Sequence, residues 1–137
     1  MATSSHDRRA SPAGGVAGAH RALAFFFVAG GVVQFILAGY SSFGGSDWDP
    51  HSIWGGVLTL IALVILILAG IGRRAALQSS AIVFGLMILQ NVLGMVGEDA
   101  PILGALHPLN GLIILAAGMS AAAGQPFGPP HGRRAAS

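Results

Sequence analysis

The sequence predicts an all-α membrane protein, a four-transmembrane-helix bundle built from two helix hairpins related as parallel repeats. Three observations predict it. The 137 residues are 53% hydrophobic and 9% charged, and their mean hydropathy is +0.71, a balance typical of polytopic membrane proteins. Charge is absent from 22–46, 50–72, 75–97 and 100–132, and each stretch holds enough apolar residues to cross a hydrocarbon core needing ~20. Finally, a Gln–His–Gly pattern occurs twice: 16 residues separate Gln34 from His51 and Gln90 from His107, and three residues then lead to Gly55 and Gly111.

The elements follow in order. Residues 1–21, rich in Ser, Ala, Gly and Arg, form an arm expected to be disordered. The first helix is expected over Ala22–Tyr40; it lacks a small-residue cleavage site before the loop at Ser41, which favours a retained span over a cleaved signal. Asp49-Pro50 is a helix start, since proline has no N–H to leave unpaired in a first turn, and it introduces a helix over Ser52–Ile71. The third and fourth helices are expected over Ala76–Val96 and Leu106–Ala123, followed by a Pro- and Gly-rich tail, 125–137, also expected to be disordered. The transmembrane domain therefore spans 22–124.

All seven basic residues (Arg8, Arg9, Arg21, Arg73, Arg74, Arg133, Arg134) fall in the arm, the second loop or the tail, while Asp47, Asp49, Glu98 and Asp99 occupy the other two loops. Positive-inside sorting then places both termini in the cytoplasm of a multi-pass protein of the cell (inner) membrane. The pI near 10.5 reflects these topogenic flanks, so no nucleic-acid partner is expected. Cysteine is absent, which excludes iron–sulfur clusters, disulfides and covalent c-type haem attachment. No phosphate loop, serine elbow or zinc-protease motif appears, and no Asp, Glu or Arg lies deep in a span, which disfavours transport through a buried carboxylate.

Five histidines remain as candidate ligands. His6 and His131 lie in the polar tails, and His20, beside Arg21, is expected to be an interfacial imidazole. His51 and His107 differ, because each opens a helix on the same side of the membrane. Two imidazoles at one depth suit axial ligation of one haem iron, each through one ring nitrogen while the other is oriented by an acceptor. The competing role is a capping or interfacial one, with the rings turned to water. Gly55 and Gly111 stand one turn inward from these histidines, either leaving space for a macrocycle or serving as small-residue helix contacts. Gln34 and Gln90, with Asn91, lie roughly 10 Å inside the outer ends at 1.5 Å per residue and should face the bundle, bonding across helices or lining a haem or quinone-like ligand. Tyr40, Trp48 and Trp54 read as an aromatic belt.

The passage Gln90-Asn91-Val92-Leu93-Gly94, a short loop, then Leu106-His107-Pro108-Leu109-Asn110-Gly111 resembles the third-to-fourth-helix passage in one half of the haem A synthase family. The first hairpin, from Gln34 to Gly39 and on to His51, is similar more loosely, and the likeness covers about Gly31–Gly118. That family has eight helices in two four-helix halves, each holding a haem position with histidines at the outer ends of its second and fourth helices. Carried over, those are His51 and His107. The family's catalytic half carries a glutamate three residues before its first histidine, where this chain has Trp48, with Asp47 one place off; oxidation of a haem methyl group is therefore not implied. The layout also resembles small four-helix membrane proteins of uncharacterised function.

These readings converge on a small membrane b-type cytochrome with one noncovalent haem b, ligated by His51 and His107 as metal ligands and lined by Gly55, Gly111, Gln34 and Gln90. It is expected to relay electrons or hold haem, and not to act as a stand-alone enzyme. Expected partners are membrane lipid, a quinone or a membrane redox complex, and a homo- or hetero-oligomer is open. The alternative is a cofactor-free accessory subunit of a larger respiratory-type membrane complex.

Overall fold

The computed structural model describes residues 12–97 and 99–128. Expectations for 1–11 and 129–137, including His6 and His131, and for Glu98 lie outside the described residues. Five helices form: α1 (Pro12–Ser42), α2 (Asp49–Gly72), α3 (Leu77–Val96), the single turn α4 (Pro101–Gly104) and α5 (Leu106–Ala123), with a 3-10 turn at Arg74–Ala76 before α3. Among the described residues there is no strand. Four segments (14–42, 49–72, 74–96 and 101–123) are long and apolar enough to cross a membrane. The chain is a multi-pass membrane bundle.

Local chemistry explains the boundaries. Asp49-Pro50 opens α2, and the Asp49 N–H donates to Asp47 Oδ1 at 3.1 Å, so a carboxylate satisfies a donor at the helix start. Pro108 cannot donate to the carbonyl four residues back, so the hydrogen-bond ladder is interrupted between α4 and α5, although Ala105 keeps helical dihedrals (φ −64°, ψ −20°). Gly124 ends α5 with φ 72°, a left-handed C-cap that a side chain would resist, and its N–H closes on Ala121 O at 3.0 Å.

One boundary departs from expectation. Helix α1 starts at Pro12, ten residues before Ala22, so 12–21 is helical and not arm. Proline in the first turn has no N–H to leave unpaired. The Ala- and Gly-rich segment then holds its helix by packing: His20 is fully buried, and Ala17 O accepts from Arg73 Nη1 at 3.3 Å. His20 is thus packed between helices and not turned to the surface.

The long helices run alternately up and down, with α1 against α2, α2 against α3, α3 against α5, and α5 closing on α1. The diagonal pairs, α1 with α3 and α2 with α5, do not approach backbone to backbone. A core of small and aliphatic side chains, including Ala24, Ala62, Ile65, Val83 and Ala117, fills the half nearer the α2–α3 connection. Large apolar residues such as Ile53, Leu60, Ile67 and Ile71 point outward from α2. Lipid is as apolar as these side chains, so packing of small residues and interhelical hydrogen bonds, more than burial of apolar area, hold such a bundle together.

Candidate functional site

The second helix of each hairpin places a histidine over the first helix, and both make the same bond. His51 Nδ1 donates to Gln34 O at 3.2 Å, and His107 Nδ1 donates to Gln90 O at 3.1 Å, each acceptor lying 17 residues earlier in the chain. A carbonyl oxygen can only accept, so each Nδ1 carries a proton, and in the neutral imidazole Nε2 is then the nitrogen with a free lone pair. The two imidazoles meet across the α2/α5 diagonal with ring centroids 6.0 Å apart and planes inclined at 52°. Trp48 sets its ring edge-on to His51, 5.6 Å between centroids. Gly94 lies beside His107, where a methyl would be in ordinary contact, 3.4 Å from His107 Cε1.

Beneath the histidines lies a cavity of about 870 Å³, within the range of ~300–1,000 Å³ usual for ligand sites. All six residues predicted for the site, Gln34, His51, Gly55, Gln90, His107 and Gly111, line it. Phe27, Leu58, Met87 and Ile114 belong to both its lining and the packed core, so the core closes it from below.

Both glycines pack against side chains that share the cavity wall. A methyl at Gly55 would come within 2.9 Å of Gln34 Nε2; one at Gly111 would meet Phe35 at 3.1 Å and Gln90 Nε2 at 3.6 Å. Gly55 therefore makes room for the Gln34 side-chain amide and Gly111 for the Phe35 ring, with the Gln90 amide in ordinary contact. Asn91 bonds elsewhere, donating to Thr59 Oγ1 at 3.2 Å across α2 and α3.

Two further pairs were not foreseen. Trp54 Nε1 donates to Gly30 O at 2.9 Å and Asn110 Nδ2 to Leu86 O at 3.0 Å, with the same 24-residue separation. Trp54 is thus half-buried against α1, whereas Tyr40, Phe43 and Trp48 are exposed at that end. At the opposite end, His20 Nε2 and Ser80 Oγ share a hydrogen bond of 3.1 Å across the α1/α3 diagonal. Nothing in the spacing of His20 marks this contact; the available sign is an imidazole placed within an uninterrupted small and apolar run.

A family model described as a family of unknown function (DUF6220) matches residues 34–96, from Gln34 to the end of α3. The matched segment contains Gln34, His51, Gly55 and Gln90 and stops short of His107 and Gly111. No curated protein and no solved structure matches the chain.

The donor set discriminates among metal centres. Among the described residues no group of three His, Cys, Asp or Glu side chains is placed to hold a metal ion. A macrocycle brings four nitrogens of its own and asks the protein for two more ligands. Imidazoles bound on opposite sides of one metal, each at ~2 Å, have centroids about 6 Å apart, the separation of His51 and His107. The tautomer, the spacing and the apolar floor all fit a haem.

Proposed function

We propose that this protein is a small membrane b-type cytochrome that holds one haem b noncovalently between His51 and His107. The observation that carries the reading is the pair itself: two imidazoles 6.0 Å apart, each with Nδ1 tied to a glutamine carbonyl. The carbonyls of Gln34 and Gln90 fix the ring orientation and raise ligand basicity, as acceptors behind metal-bound histidines do. When bound, the haem supplies a one-electron iron couple for electron relay, or is itself the cargo held for a partner.

Arg21, Arg73 and Arg74 lie at the end away from the histidines. Positive-inside sorting then turns the histidine end outward and leaves both termini in the cytoplasm of an inner membrane. Because the core and the His20–Ser80 bond close the other end, the cavity serves one face of the membrane, and electrons enter and leave there. Of the resemblance to the haem A synthase family, the reading keeps the two-histidine position and drops the catalysis, since Trp48 stands where the carboxylate would be.

Absorption spectroscopy tests it. Protein purified from haem-sufficient cells should show a Soret band and a sharp reduced α band, both lost in His51→Ala and in His107→Ala. Colourless wild-type protein would instead favour the cofactor-free accessory subunit.

A further inference from the structure

At the end of the bundle away from the histidines, one guanidinium is held in place with most of its donors unused. Gly72 brings the end of α2 close to α1, where a methyl would meet Val16 Cγ1 at 2.8 Å. That approach sets Arg73, the residue after α2, against the neighbouring helix: Arg73 Nη1 donates to Ala17 O at 3.3 Å. Its guanidinium also lies against Gly124, the left-handed cap of α5, where a methyl would strike Nη2. One half-buried side chain from the α2–α3 connection thus reaches both α1 and α5.

A guanidinium has five N–H donors, and Ala17 O occupies one of them. The acids among the described residues are Asp47, Asp49 and Asp99, all in the loops at the histidine end. Positive-inside sorting counts charge and asks for no such clamp. Arg21 shows the contrast, with its guanidinium resting 5.7 Å over the Phe25 ring. A planar fork of donors matches two phosphate oxygens at once, and the adjoining, exposed Arg74 adds a second cation. At the end of a membrane-spanning bundle, the anion at hand is a lipid headgroup. Two cations select a headgroup of net negative charge over a zwitterionic one, whose ammonium they repel. We propose that Arg73 and Arg74 form a site for the headgroup phosphate of one anionic phospholipid, in the leaflet opposite the histidines. The site does not depend on the haem reading.

Native mass spectrometry of the full chain in detergent micelles, with phosphatidylglycerol or phosphatidylcholine added in steps, tests this. The first phosphatidylglycerol should bind roughly tenfold more tightly than the first phosphatidylcholine, the worth of one charge-assisted hydrogen bond. Arg73→Gln should erase that ratio, whereas Arg21→Gln should leave it whole. Arg74→Gln, at an exposed position, should lower the ratio as well, which keeps the site open to test if Arg73→Gln fails to fold. Equal binding of the two lipids by the wild-type chain overturns the proposal without need of a variant. An unchanged ratio in Arg74→Gln overturns the two-arginine site, and equal losses in Arg21→Gln and Arg73→Gln reveal a diffuse basic surface in its place. If glycerophosphoglycerol or inorganic phosphate at millimolar concentration displaces the phosphatidylglycerol, the ligand is a soluble phosphate and the lipid site falls.

Discussion

Trp54 and Asn110 stand 56 positions apart and make one hydrogen bond in common, each donating to a carbonyl 24 residues earlier on the preceding long helix. The two hairpins therefore share a backbone relationship that survives a complete change of side chain, an indole in one and an amide in the other. Gln34 and Gln90 carry the same offset, as do His51 and His107, and Gly55 and Gly111. The duplication is thus visible as geometry and not as spacing alone. Where the halves differ, the second is the better satisfied, because Asn110 also reaches Gln90 Oε1 and Trp54 has no second donor.

That difference makes Asn110→Leu more damaging than Trp54→Phe. The first change leaves both Leu86 O and Gln90 Oε1 without Asn110, while the second removes one N–H and keeps an aromatic ring. Interhelical bonds in membranes are worth about 0.6–2 kcal/mol each, so Asn110→Leu should cost about twice as much in reversible unfolding in mixed micelles. Equal losses would contradict the assignment.

His20 should matter to stability and not to the site. Ser80→Ala removes the side-chain hydrogen bond that His20 makes among the described residues and should cost about 1–2 kcal/mol. Haem content per folded chain should stay at the wild-type level, because the His20–Ser80 bond lies at the other end of the bundle from His51 and His107. Loss of haem with unchanged unfolding would show that the α1/α3 strut belongs to the site.

Gly97 and Gly104 meet backbone to backbone where α3 leads into α4. A methyl at Gly97 would sit 2.9 Å from Gly104 Cα and 2.9 Å from Leu93 O, atoms that cannot swing aside. Gly97→Ala should cost about 1–3 kcal/mol and, by shifting the segment that leads to His107, weaken haem retention. Gly56→Ala, with no atom within 4 Å of the added methyl, should be neutral or gain up to ~1 kcal/mol from helix propensity. Thermal unfolding of the two variants side by side checks the contrast.

The fold class, and six positions that line one cavity, were legible in the sequence for a simple reason. A bilayer demands long uncharged runs, and a duplicated hairpin leaves polar residues at matched spacings within them. His20 was not legible, because helix α1 is apolar nearly all round and its sequence does not tell which side faces α3. The start of α1 at Pro12 was hidden by a Gly- and Ala-rich composition shared with flexible arms. Trp54 and Asn110 escaped because a repeat search compares residue types, whereas the conserved feature is an N–H at one place. The glycines were legible but their neighbours were not, since the Gln34 amide and the Phe35 ring that pack on them come from another helix.

The central claim is that His51 and His107 together ligate one haem iron. Electron paramagnetic resonance of the oxidised, purified protein, with haem quantified per chain, tests it most directly. The account predicts one haem per chain with a low-spin bis-imidazole signal, turned high-spin or lost in His51→Ala and in His107→Ala alike. Wild-type protein without haem, or a low-spin signal that persists in the His51→Ala, His107→Ala double variant, would contradict it.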